Sequence, residues 1–113
     1  MIINISRDVL IAKTITVANN PFSRMKGLLG TASLPVQKAL VITPCNSIHM
    51  LFMQFPIDVI FINKTNHVVG LVNNIPPFAF SPIFWESSCA IELPAGTIQQ
   101  TQTAVGDIIQ IGK

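Results

Sequence analysis

Short apolar runs alternate with breaks rich in Asn, Pro and Gly, a pattern that predicts strands far more than helices. Residues 2–5 and 9–18 are the opening pair of strands, with Ser6-Arg7-Asp8 as the turn. In Lys13-Thr14-Ile15-Thr16-Val17, alternation places Ile15 and Val17 inward and Thr14 and Thr16 outward. Ala39 to Thr43 is a further strand that stops at Pro44. The longest apolar stretch, Ile48 to Ile62, predicts strand in both halves. Pro56 forbids a continuous helix and pushes Phe55 towards an extended conformation. In its second half, Ile57, Val59 and Phe61 share one face and Asp58, Ile60 and Ile62 the other, so the strand is covered on both sides.

The polar turn 63–66 leads into a returning arm, His67 to Val72, with His67 facing solvent and Gly70 marking a bulge or a close backbone approach. Ser88 to Leu93 and Ile108 to Ile111 are the last strands. Between them come a turn at Pro94-Ala95-Gly96, a short helix over Ile98 to Gln102 capped by Thr97, and a turn at Gly106-Asp107. The clearest helix signal is residues 20–30. Asn20 is its N-cap, Pro21 its first residue, Gly30 its stop, and Phe22, Met25, Leu28 and Leu29 its apolar stripe. Gly27 lowers helix propensity there and implies close packing, and Arg24 lies just off the stripe. The predicted fold class is mainly β, a sandwich or barrel-like core with one or two short helices, in a single compact domain over 1–113.

Composition narrows the function classes. Only 11% of residues are charged, against about a quarter in ordinary domains. Arg24 and Lys26 are the only clustered bases, so no stripe exists for a phosphate backbone and no nucleic-acid partner is expected. Asn and Pro residues interrupt the uncharged stretch 65–85, which excludes a membrane-spanning helix. No signal peptide is visible at the N-terminus, which predicts a cytoplasmic protein. Cys45 and Cys89 form no metal motif and are expected to be free, buried thiols. No cofactor or metal is expected.

The candidate chemistry is polar residues in apolar surroundings. Asp58 must be paired or hydrogen-bonded if buried, by backbone N–H groups or by an arginine. Glu92 is a second lone carboxylate, and His49 is a core or rim histidine or a site residue. Arg24, whose planar fork suits a carboxylate, is expected to pair with Asp58 or Glu92. The segment 73–85 carries three prolines, three phenylalanines and the one tryptophan. It either caps the core or exposes Phe78, Phe80, Phe84 and Trp85 as a partner patch.

Arg24-Met25-Lys26-Gly27-Leu28-Leu29, Phe55-Pro56-Ile57-Asp58-Val59-Ile60-Phe61, Ile91-Glu92-Leu93-Pro94-Ala95-Gly96 and Gly106-Asp107 occur in this order. Together they resemble the prokaryotic domain-of-unknown-function family numbered 192, from about Pro21 to Ile111. The block Ile48-His49-Met50-Leu51-Phe52-Met53-Gln54 resembles its histidine-bearing branch, with Gln54 where an arginine often stands. The resemblance implies a compact, mainly β fold with small helices and no established reaction, and some relatives carry export signals.

Three functions fit. The first is a non-enzymatic module binding a small molecule or peptide in a groove beside His49 and residues 75–85, with Arg24, Asp58 and Glu92 as a structural cluster. The second is a hydrolase or lyase using His49 with Asp58 or Glu92, although no nucleophile elbow or phosphate loop is present. The third is an interaction subunit of an envelope or secretion assembly that docks a protein partner through residues 75–85.

Overall fold

The structure is a computed structural model describing residues 1–19, 34–51 and 53–112. The helix predicted at residues 20–30, with Arg24, lies outside the described residues. The described strands are β1 (Ile2–Asn4), β2 (Val9–Ala12), β3 (Thr14–Ala18), β4 (Lys38–Ile42), β5 (Ile57–Ile62), β6 (Val68–Ile75), β7 (Cys89–Pro94) and β8 (Ile109–Ile111). One short helix, α1 (Thr97–Thr101), joins β7 to β8. The strands form two sheets, β2-β1-β8 and β3-β4-β7-β5-β6. All pairings are antiparallel except β3 with β4, which run parallel from Thr14↔Lys38 to Ala18↔Ile42.

The expected strand 9–18 is two strands that serve different sheets. At Lys13 the chain leaves the small sheet, and the N–H groups of Lys13 and Thr14 both donate to the Gln37 carbonyl, at 2.8 and 3.1 Å. Val17 was expected inward; it shares the face of its partner Val41, the one the small sheet covers, but is exposed because β3 is the edge strand of the large sheet.

Every residue of β5 is buried, as a strand covered on both faces requires. Ile57, Val59 and Phe61 pack with Leu40, Ile42 and Ala90 beneath Ile48, Met50, Met53 and Phe55. Ile60 and Ile62 pack on the opposite face with Ile91, Leu93 and Val41, beneath Ile2, Ile11 and Ile109 of the small sheet and Ile98 of α1. The two layers meet at one corner. There His67 bridges to Ile108, Val68 N–H donates to the Asp107 carbonyl at 2.8 Å, and Ile109 N–H donates to Asn66 at 2.9 Å. His67 is half-buried beside the turn, with its Nδ1 3.0 Å from Thr65 Oγ1 on the exposed side. Among the described residues the two sheets are separate layers joined by these contacts at the corner.

The first half of the long apolar stretch is not a sheet strand. Among the described residues, Ile48 to Met50 pair with the 78–81 segment, and the chain turns back at Met50, whose carbonyl accepts from Met53 N–H at 3.2 Å. Its apolar residues cover the sheet instead of extending it.

Candidate functional site

Asp58 is fully buried and both of its oxygens are engaged. Oδ1 accepts from Asn74 N–H at 2.8 Å, and Oδ2 accepts from Gly96 N–H at 3.1 Å and Ile98 N–H at 2.9 Å. The carboxylate thus ties β5 to β6 and to the start of α1. Charge-assisted bonds of this kind answer a buried acid with fixed backbone dipoles. Asp58 also takes the capping role expected of Thr97. The helix N-cap is Gly96, at φ 95°, with no side-chain cap, and the Thr97 hydroxyl donates to the Pro94 carbonyl at 2.7 Å.

Glu92 is also fully buried but faces the other way. Residues directly opposite across a strand pair share a face. Asp58 pairs with Leu93, and Glu92 pairs with Val59 and Leu40, so the two acids lie on opposite faces of the large sheet. The expected pairing of Arg24 with either acid falls outside the described residues.

His49 sits on the outer surface of the cover over the Glu92 face. The Ile48–Met50 and Phe78–Ser81 segments form a small ribbon. Met50 N–H donates to Ala79 at 2.8 Å, Phe78 N–H to Met50 at 2.7 Å and Ser81 N–H to Ile48 at 3.0 Å. Alternation along the ribbon buries Ile48 and Met50 and turns His49, Phe78 and Phe80 outward. His49 bridges directly to Phe80, and its Nδ1 accepts from Leu51 N–H at 3.3 Å. It makes no hydrogen bond to either buried acid among the described residues.

Phe78, Phe80 and Trp85 are 61%, 68% and 80% exposed, as a surface patch requires, and the nearby Ile83 is exposed too. Phe84 differs. Its ring turns inward against Phe61, centroids 4.6 Å apart, and lies over Gly70, where any Cβ would overlap it. The close approach expected at Gly70 is this ring. Phe78 adopts φ 67° in the turn closed by Ala79 N–H and the Pro76 carbonyl. Proline followed by a left-handed residue is the type II arrangement, where glycine is normal, so a bulky side chain there is held against steric cost. A groove of about 310 Å³ is lined by Val69, Phe84, Trp85 and Glu86.

A second polar cluster has no counterpart in the expectations. Asp107 Oδ2 accepts from Arg7 Nε at 2.7 Å, Asn4 Nδ2 at 2.9 Å and Ala104 N–H at 2.9 Å. Burial pushes this carboxyl up, but the Arg7, Asn4 and Ala104 bonds outweigh it and bring the pKa to about 2. The available signal was Asn4, a lone amide between isoleucines. Cys89 is buried, and burial together with nearby Cys45 pushes its thiol up to about 11. Among the described residues, no three His, Cys, Asp or Glu side chains gather to hold a metal, and no helix is long and apolar enough to cross a membrane.

The chain matches the model of the DUF192 family, described as "Uncharacterized ACR", over residues 2–111. It is 31% identical to a UPF0127 protein of Thermococcus sibiricus over 113 residues, covering 96% of this chain and 73% of that one. Two solved structures share the fold. One is a protein of unknown function from Novosphingobium aromaticivorans, with TM-score 0.75, 18% identity and coverage of 86% and 74% of the two chains. The other, from Sinorhizobium meliloti and provisionally named a transcription regulator, has TM-score 0.72, 20% identity and coverage of 85% and 79%. At these identities the likeness is one of fold.

Proposed function

The chain belongs to the DUF192 family, and we propose that it is a non-enzymatic module that binds an extended peptide segment on the surface formed by His49, Phe78, Phe80 and Trp85. One observation carries this reading: large aromatic side chains stand out in solvent along a single backbone-paired segment. Aromatic residues anchor interfaces because they cover much area with few rotatable bonds.

Acid–base catalysis by His49 with Asp58 or Glu92 is the weaker reading, since His49 is exposed and makes no hydrogen bond to either acid among the described residues. Asp58 sits on the sheet face away from the ribbon, with both oxygens held by backbone N–H groups. A general base needs a partner within hydrogen-bond reach or one water away.

A displayed library of random peptides, selected on the wild-type protein, tests the proposal. The selected peptides should lose binding to a Phe78→Ser, Phe80→Ser, Trp85→Ser variant whose unfolding midpoint is unchanged. Peptides that bind this variant equally well would place the site elsewhere.

A further inference from the structure

Acidic side chains are few in this protein, and most are committed to the fold. Of the five, Asp58 and Glu92 are fully buried and Asp107 is bound by Arg7, Asn4 and Ala104. Asp8 lies in the turn between β1 and β2. Asp8 and Glu86 are both exposed, but Glu86 lines the groove with Val69, Phe84 and Trp85. Among the described residues, no cation or hydrogen-bond donor engages its side chain. An unpaired carboxylate next to an exposed indole face is the chemistry of cation recognition, because the ring quadrupole and the anion attract the same charge.

We infer that this groove binds one basic side chain, lysine or arginine, of the peptide segment proposed above. The aliphatic stem lies along Val69 and Phe84, and the cationic head meets Trp85 and Glu86. Long basic side chains pack their stems on apolar surface while the head stays near water, which matches apolar walls ending in one acid. The volume, about 310 Å³, is at the small end for ligand sites and suits a single side chain. Phe80 and Ile83 are exposed just upstream on the same segment, so a ligand that continues past the groove covers further apolar surface. The protein's own charge is +2, so its overall field repels a basic ligand and the attraction must come from Glu86 and Trp85 locally.

The inference rests on the binding reading, and one titration separates their fates. Trp85 is the only tryptophan and the chain has no tyrosine, so fluorescence emission reports directly from the groove. The probes are a short acetylated and amidated peptide with one arginine between valines, its citrulline twin, and free acetyl-arginine amide. Binding is followed by Trp85 emission and by calorimetry. The arginine peptide should bind at least about tenfold tighter than the citrulline twin, the scale of a partly desolvated cation–π and ion pair. Glu86→Gln should remove that difference while leaving the unfolding midpoint in place. Equal affinity for the two peptides overturns the cation site and leaves the peptide-binding reading standing. Failure of every probe to bind overturns both. Free acetyl-arginine amide binding as tightly as the peptide overturns the peptide segment as the occupant.

Discussion

At residue scale, two carboxylates are satisfied by different means and fail differently. Asp58 is held by three backbone N–H groups and no cation among the described bonds. Asp58→Asn replaces one acceptor oxygen with a donor and leaves at least one buried N–H without a partner. The expected loss is about 3 kcal/mol in urea unfolding. Asp107 depends on Arg7 and Asn4, and its pKa of about 2 lies below the ordinary 3.8. Its contribution is fully present above about pH 4 and is lost as pH falls towards 2, because the unfolded chain takes up the proton first. The acid limb of the stability profile should therefore be flatter in Asp107→Asn than in the wild type between those values. Cys89, with its thiol pushed up to about 11 and buried, carries almost no thiolate at neutral pH. Its alkylation should proceed only as fast as β7 opens, which mass spectrometry of iodoacetamide-treated protein can follow.

At the scale of elements, the ribbon and β6 set the surface. Gly70 leaves room for the Phe84 ring, and Phe84 in turn forms a wall of the groove. Gly70→Ala forces that ring away and should cost about 1–3 kcal/mol, as overpacking does, with a shift in Trp85 emission. Periodicity located β4 to β7 to within a residue or two at most ends, since alternation and the Pro and Gly breaks act within a few neighbours. It misjudged the segment of Ile48, Met50, Met53 and Phe55, where the apolar composition of a strand serves to cover a sheet. The apolar composition is alike in both cases, and the difference lies in what each segment pairs with: β5 with β6 and β7, Ile48 to Met50 with residues 78–81.

At the scale of the whole molecule, the small sheet covers one face of the large one and joins distant parts of the chain. β1 lies between β2 and β8, with Ile2 opposite Ile111 and Asn4 opposite Ile109. Ile109 is fully buried in that layer. Ile109→Ala should cost about 2–5 kcal/mol, and both faces of the domain should lose stability together in a single transition.

The sequence alone determined the β character, the two-sided burial of β5 and the need for Asp58 to be answered. Each follows from which residues are apolar and how they alternate. It also identified the aromatic segment 73–85 as a feature to be explained. Tertiary structure decided which faces the polar residues occupy. Asp58 and Glu92 diverge because their strands are paired in one register, and Asn4, Arg7 and Asp107 converge because β1 pairs with β8 across nearly the whole chain. Contacts between residues so far apart leave no local periodic trace, since they depend on how sheets stack and where edges meet.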